Sequence, residues 1–179
     1  MIHPTDGRYL VKELTQFLSE EAFLRYKLRV ESAHARSLSK IGVCSSRVAD
    51  EIARMATTEN VTPKEVEDME KLLKHDIRSM VEVLRSKVSE ESKRYVHLGL
   101  TSYDVVNNAQ VLALKDALHR VILPDMTELL ETFLALAVKE RDTVQIGRTH
   151  GQHAVPTTFG REIAVHAERW GEDIERVLE

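Results

Sequence analysis

Residues 62–84 read TPKEVEDMEKLLKHDIRSMVEVL, and this stretch decides the fold class. It opens on Thr62-Pro63-Lys64-Glu65, a capping box with proline at the first helical position, which is a strong signal for a helix start. Apolar residues then recur at intervals of three and four, namely Val66, Met69, Leu73, Ile77, Met80 and Leu84. This spacing places them on one face, so the stretch predicts an amphipathic helix.

The composition extends the helical prediction to the whole chain. Only seven glycines and four prolines occur in 179 residues, and no strand pattern competes with the helices. We expect an all-α fold, with an N-terminal helical domain over residues 1–103 and the beginning of a long-helix bundle over residues 104–179. The last helix carries its apolar stripe to Glu179, so we expect the bundle to be truncated there.

Charge, hydropathy and cysteine usage exclude several classes of function. The formal charge of −4 gives no reason to expect nucleic-acid binding, which asks for a basic face. No apolar run approaches 18 residues, so we expect no membrane span. Cys44 is the only cysteine, and no secretion signal precedes it, so a reducing compartment such as the cytoplasm fits.

The polar segment QIGRTHGQHAVPTTFG, residues 145–160, separates two strongly helical segments. It is longer than an ordinary connector between helices, and we expect a loop that carries a site. Its histidines, His150 and His153, lack an adjacent Glu in an H-E-x-x-H arrangement and a cysteine cluster, so we expect no metal. One of them could act as a general acid or base. A long turn with two satisfied histidines explains the same composition.

Two further polar motifs interrupt the helices early in the chain. Arg8 can clamp a phosphate or carboxylate in a bidentate manner, and Tyr9 can add a hydrogen bond, although a weakly docked terminus explains both. His75 and Asp76 lie inside the predicted amphipathic helix, near the edge of its apolar stripe. A satisfied histidine is the more ordinary interpretation, because neighbouring helix positions do not face each other.

A fourth motif, HLGLTSYD at residues 97–104, predicts another helix start. Thr101 serves as the cap, and the Asp104 carboxylate is expected to reach back to it. Two hydroxyls, of Thr101 and Ser102, and free backbone amides then meet at one helix N-terminus, which suits an anion. An ordinary cap explains the motif equally well when it is taken alone.

Taken together and in this order, the four motifs resemble the fumarase/aspartase superfamily of lyases. The resemblance runs from Arg8-Tyr9 through His75-Asp76 and residues 99–104 to the GRTHGQHA segment at residues 147–154. The superfamily's serine- and glycine-rich signature loop, with Met, Lys and Asn, has no counterpart in this sequence. It lies later in such proteins, in agreement with a truncated chain.

The resemblance implies a β-elimination that releases fumarate from a succinylated amine on a purine nucleotide, without a cofactor. It assigns His150 as the general acid and His75 as a second histidine beside the substrate. It also implies substrate contacts: carboxylate binding at Thr101, Ser102 and Thr149, phosphate binding at Arg8 and Tyr9, and Asp76 as a further binding residue. The catalytic base would be the serine of the missing loop.

The resemblance also implies an assembly, a homotetramer in which each site is built from three chains. The alternative within the superfamily is an enzyme similar to carboxymuconate cycloisomerase, which has comparable Thr-Ser and Thr-His segments. Arg8 and Tyr9 favour the nucleotide, because a phosphate gives that arginine a ligand. The alternative from another class is a non-catalytic helical interaction module whose polar motifs are only caps.

Overall fold

The computed structural model describes residues 11–179, so Arg8 and Tyr9 lie outside the described residues. Its helices are α1 (Lys12–Leu18), α2 (Glu20–Lys40), α3 (Ser46–Met55), α4 (Pro63–Leu73), α5 (Asp76–Ser86), α6 (Glu90–Lys93), α7 (Ser102–Ala117), α8 (Leu123–Lys139) and α9 (Phe159–Leu178). A π-helical segment, Leu118–Ile122, lies between α7 and α8, and two strands, β1 (Val144–Thr149) and β2 (Gln152–Thr158), precede α9. The predicted all-α class is confirmed, with one small hairpin added. In the described part of the chain, no helix has the length and apolar character needed to cross a membrane.

The chain forms two compact units, the first ending at Ala117 and the second comprising Leu118–Glu179. The predicted division after Tyr103, into an N-terminal domain and the beginning of a bundle, stays a prediction. In the first unit, α2 packs against α3 and α7, and α5 packs against α4. Their shared core is fully buried at Leu28, Ile52, Ile77, Met80, Leu84 and Val105.

The predicted capping box at the start of α4 is present. The Glu65 N–H donates to the Thr62 hydroxyl at 3.3 Å, and the Thr62 N–H donates to the Glu65 carboxylate at 3.0 Å. Lys87 contacts the same carboxylate at 2.6 Å. The bonds that the carboxylate accepts from Lys87, from the Thr62 N–H and from the Thr62 hydroxyl, the last at 2.8 Å, lower the pKa of Glu65 to about 2, so the box stays ionised and intact at neutral pH.

Residues 62–84 form two helices and not one, so the prediction that His75 lies inside a helix is wrong. Lys74 has a φ of 56°, in the left-handed region, and closes α4 by donating its N–H to the Glu70 carbonyl. His75 then becomes the N-cap of α5, with its ring accepting from the Arg78 N–H. The apolar periodicity persists across the break because Val66, Met69, Ile77, Met80 and Leu84 pack against the same core.

Pro124 explains the widened turn between α7 and α8. Proline has no N–H to donate, and its ring crowds the carbonyl four residues earlier, here that of Arg120. The π-helical segment Leu118–Ile122 contains that carbonyl, and such single wide turns relieve a local mismatch inside a helix. The proline is therefore accommodated by a π turn followed by a new helix.

In the second unit, α9 runs back along α8, and Gly160 sets how closely they approach. The Trp170 indole N–H donates to the Met126 carbonyl at 2.8 Å, while the Gly160 N–H donates to the Glu140 carbonyl at 2.9 Å. A Cβ at position 160 would lie 2.4 Å from the Ala137 carbonyl oxygen and 2.6 Å from the Arg141 backbone nitrogen. Only glycine fits this contact between two backbones.

We expect Gly160→Ala to lower the free energy of unfolding by about 1–3 kcal/mol or more, because overpacking here must move backbone. Gly171→Ala is the matched control in the same helix, since its Cβ would meet only Leu130 Cδ2, at 4.0 Å. Alanine at that helical position should be neutral or stabilising, by up to about 1 kcal/mol. Urea unfolding followed by circular dichroism measures both, and equal stability of the two variants would contradict the close approach.

Candidate functional site

His75 connects the start of α5 to the start of α7. Its Nδ1 accepts a hydrogen bond from the Arg78 N–H at 3.4 Å, and its Nε2 lies 3.4 Å from the Ser102 hydroxyl oxygen. An acceptor at Nδ1 places the proton of a neutral imidazole on Nε2. His75 therefore donates to Ser102, and the Ser102 O–H is left free to donate to a ligand.

Asp76 supports this arrangement from the first turn of α5. Its Oδ2 forms an ion pair with Lys27 of α2 at 3.2 Å, and its Oδ1 lies 3.5 Å from His75 Nδ1. Burial raises the pKa of Asp76, but the Ile77 N–H bond and Lys27 outweigh burial and bring it below its ordinary value. Asp76 is thus a stable carboxylate that is held by Lys27. Nothing in the sequence indicated the Lys27 partner, because the two residues are 49 positions apart.

The two contacts of His75 Nδ1 exclude each other. An ion pair with Asp76 needs a proton on Nδ1, whereas the bond from the Arg78 N–H needs a lone pair there. The cap satisfies one of the free amides at the start of α5. Only a ring without a proton on Nδ1 makes this cap.

Thr101 and Ser102 stand at the start of α7, as predicted. The Thr101 N–H donates to Asp104 Oδ2 at 2.8 Å, so the predicted return of the Asp104 carboxylate is confirmed. Ser102 is the first residue of α7 and is half-buried, while Thr101 is exposed. Amides in a first helical turn lack intrahelical partners and favour an anion. The side chains of Ser102 and His75 thus meet beside a helix N-terminus.

The segment predicted as a loop is an antiparallel hairpin in the structure, so the loop prediction is wrong. Val144 pairs with Thr158 at its base, and Thr149 pairs with Gln152 at its tip. His150 and Gly151 have φ values of 53° and 70°, which is the backbone of a type I′ two-residue turn. The signals were the alternation of Val144 and Ile146 and the Thr- and Val-rich return strand, and they were weak because the segment also holds proline and glycine.

A bulge in the hairpin explains why residue 147 is a glycine. The register shifts between Ile146 and Arg148, so Gly147 faces two residues of β2. A Cβ there would lie 2.8 Å from the Val155 carbonyl oxygen. The bulge bends the hairpin just before the tip that carries His150.

His150 and Thr149 contact each other at the hairpin tip. The Thr149 hydroxyl oxygen lies 2.8 Å from His150 Nδ1, and both residues are exposed. A left-handed φ is uncommon outside glycine and costs free energy, and such positions concentrate at functional sites. His153 stands in β2 opposite Arg148.

Each unit thus brings together some of the predicted residues. The first joins His75, Asp76 and Ser102, with Thr101 adjacent in the chain, and the second joins Thr149 and His150. Arg8 and Tyr9 lie outside residues 11–179, which are the ones the structure describes. Within that range, no three His, Cys, Asp or Glu side chains are grouped so that they could hold a metal ion.

Comparison with known proteins finds similar sequences and similar solved structures. A family model described as "Lyase" matches residues 7–179. Adenylosuccinate lyases of Methanothermobacter thermautotrophicus and Pyrococcus abyssi are 41% and 40% identical over 99% of this chain. The chain spans 38% of each relative's length. The solved 3-carboxy-cis,cis-muconate lactonizing enzyme of Pseudomonas putida is similar with a TM-score of 0.85 at 27% identity, covering 98% of this chain and 40% of that one.

Two substitutions separate the capping role of His75 from its contact with Ser102. We expect His75→Ala to lower the free energy of unfolding by about 1 kcal/mol through loss of the cap, and His75→Asn to recover most of it, because asparagine is a strong N-cap. Asparagine is too short to replace Nε2 at Ser102. Urea unfolding measures the first effect and substrate turnover the second, and full activity of His75→Asn would reduce His75 to a cap.

Proposed function

The chain belongs to the lyase family whose model it matches, and from that premise we propose that the protein containing it is an adenylosuccinate lyase. It would release fumarate from adenylosuccinate to leave AMP, and make the same cut in the succinylated aminoimidazole-carboxamide ribotide of purine synthesis. Support comes from relatives of that name at 41% and 40% identity along this chain.

The elimination sets three requirements. A base removes a proton from the carbon next to a carboxylate, and the electron pair forms the carbon–carbon double bond. The carbon–nitrogen bond breaks, and an acid protonates the departing nitrogen. Charge that builds on the carboxylate between these steps needs donors aimed at it.

The start of α7 is the single observation that carries the proposal in the first unit. Ser102 accepts from His75 Nε2 at 3.4 Å, so its own O–H can donate to a substrate carboxylate. The Thr101 hydroxyl and the amides of the first turn of α7 add donors at the same place. We assign Thr101 and Ser102 to carboxylate binding and His75 to orienting Ser102 and contacting the substrate, with Asp76 beside it.

We assign the general acid to His150 of the second unit. Its exposed ring stands on a rigid two-residue turn, and the Thr149 hydroxyl contacts Nδ1 at 2.8 Å. This contact orients the ring and leaves Nε2 as the nitrogen that can deliver a proton. Thr149 is also assigned to carboxylate binding, and Arg8 and Tyr9 to the nucleotide phosphate, by the resemblance of their motifs.

The base is assigned to the serine of a signature loop, and this sequence does not contain that loop. No serine- and glycine-rich segment with Met, Lys and Asn occurs in the 179 residues. Since the relatives are more than twice as long as the matched region, the proposed base would lie in the part of the protein that follows this chain.

The proposed assembly is a cytoplasmic homotetramer that acts on a small-molecule nucleotide. Large apolar side chains on α8 and α9 are exposed, with Leu134 at 51%, Val138 at 67% and Leu178 at 61%. Exposed apolar side chains of this kind on long helices are typical of surfaces that other helices cover. Additional helices of the same chain or of partner subunits would cover them.

A cycloisomerase-like reaction is the second candidate, since a solved enzyme acting on carboxymuconate shares the fold. Its identity to this chain, 27%, is lower than that of the adenylosuccinate lyases, 40% and 41%. Arg8 and Tyr9 also favour a phosphate-bearing substrate. A non-catalytic interaction module agrees poorly with membership of a lyase family.

Substitutions at His150 and Arg8 should give opposite kinetic signatures in the full-length enzyme. We expect His150→Asn to lower kcat by about 10²–10⁴-fold, with little change in KM, because proton donation acts in the transition state. Asparagine tolerates the left-handed φ of position 150, so the hairpin is kept. Arg8→Ala should chiefly raise KM, since the phosphate is held in both ground and transition states.

The absorbance change on cleavage of adenylosuccinate measures both variants. Near-normal kcat of His150→Asn would remove the acid assignment. An equal loss of kcat in Arg8→Ala, with KM unchanged, would contradict phosphate binding at Arg8.

The 179-residue chain alone should not cleave adenylosuccinate, whereas the full-length protein should. Loss of one partner of an acid–base pair typically costs about 10²–10⁴-fold, and the chain also lacks the rest of the proposed bundle. The same absorbance assay compares the two proteins at equal concentration. Robust activity of the 179-residue chain would overturn the assignment of the base to a later segment.

A further inference from the structure

Three consecutive residues just before the start of α7 are each held by a long polar side chain from another helix. The Val96 carbonyl accepts from the Arg85 guanidinium at 3.2 Å, and the Leu98 carbonyl lies 2.8 Å from His34 Nε2. Between them, His97 contacts Glu31 of α2. We refer to residues 96–98 as the clamped segment.

Glu31 is the most buried of these holders. It is 1% exposed, and both carboxylate oxygens are used on one residue: Oε2 accepts from the His97 N–H at 3.1 Å, and Oε1 lies 2.5 Å from His97 Nδ1. A buried carboxylate is costly unless it is paired and hydrogen-bonded. Helix α2 therefore places a buried carboxyl group against the clamped segment, where one residue, His97, contacts both of its oxygens.

The backbone of the clamped segment is strained at that residue. His97 has a φ of 62°, and Gly99 two residues later has a φ of 79°. A left-handed non-glycine residue persists only where its surroundings over-determine it. Glu31 accepts from the backbone N–H of His97 and contacts its ring, and these two contacts provide that constraint.

The clamped segment leads directly into the proposed carboxylate site. Three residues separate Leu98 from Ser102, whose hydroxyl oxygen lies 3.4 Å from His75 Nε2. A change of backbone conformation at His97 would shift Thr101 and Ser102 relative to His75. His75 is fixed independently, as the cap of α5.

We propose that Glu31 is a positioning residue of the lyase, which sets the placement of Thr101 and Ser102 by locking His97 in its left-handed conformation. The inference rests on the proposed function of the α7 start as a carboxylate site. Glu31 acts through the backbone and does not touch the substrate.

The test compares Glu31→Leu and Glu31→Gln in the full-length enzyme, with adenylosuccinate as substrate. Leucine keeps the volume and removes both bonds, and we expect KM to rise by about 10-fold or more, because small misplacements of substrate-holding groups are costly. Glutamine presents an oxygen acceptor for the His97 N–H and an amide donor for a neutral Nδ1. It should return KM to within about threefold of the wild-type value.

Glu65→Leu is the matched control. Glu65 likewise accepts a backbone N–H, from Thr62, and pairs with a side-chain cation, Lys87. It holds the start of α4 and none of the residues 96–104. We expect Glu65→Leu to lower the melting temperature without changing KM.

Each outcome decides the proposal. A raised KM in Glu31→Leu, recovery in Glu31→Gln and an unchanged KM in Glu65→Leu support positioning. A lower melting temperature of Glu31→Leu with wild-type KM, or the same kinetic change in both leucine variants, would overturn it and leave Glu31 as an ordinary core residue.

A readout without substrate separates this proposal from the proposed function. Hydrogen exchange followed by mass spectrometry should be faster in residues 96–104 of Glu31→Leu and unchanged there in Glu65→Leu. If the wild-type enzyme fails to cleave adenylosuccinate, the proposed function fails while this exchange result still tests the clamp. Unchanged exchange in residues 96–104 of Glu31→Leu would overturn the clamp itself.

Discussion

The need to satisfy backbone amides at helix starts is the constraint on which the first unit depends. A helical core leaves several free N–H groups at every helix N-terminus, and polar side chains gather there to accept from them. Glu65 reaches Thr62, His75 reaches Arg78, and Asp104 reaches Thr101. The groups that we propose to bind substrate are thus held in place by bonds that the fold already requires. The caps thus supply part of the rigidity of the site.

The second unit depends instead on close contacts between segments of backbone. Gly160 lets the start of α9 meet the end of α8, and the Phe159 N–H donates to the Thr143 carbonyl at 2.9 Å just before β1 begins. These contacts anchor the base of the hairpin, where Val144 pairs with Thr158. The bulge at Gly147 and the type I′ turn then place His150 at the tip. The bulge lies between the anchored base and the tip, and the two left-handed residues, His150 and Gly151, form the tip itself.

The sequence predicted what local chemistry determines and missed what depends on residues far apart in the chain. The helical class, the capping box at Thr62 and the return of Asp104 follow from motifs within four residues. The break at Lys74 was missed because the apolar periodicity continues through it, and the hairpin was missed because His150-Gly151 replaces the usual asparagine-glycine turn. Partners such as Lys27 for Asp76 and Glu31 for His97 depend on packing between helices, so no pattern in the sequence indicates them.

The two site histidines differ in what their Nδ1 atoms contact, and this difference divides their proposed roles. At His75 the partner is a backbone N–H, which can only donate, so protonation of Nδ1 would remove the cap of α5. In its capping geometry, His75 is therefore suited to donate from Nε2 to the Ser102 hydroxyl. At His150 the partner is the Thr149 hydroxyl, which can donate or accept by rotating. That ring can lose and regain a proton without losing its orientation, as a general acid must in each turnover.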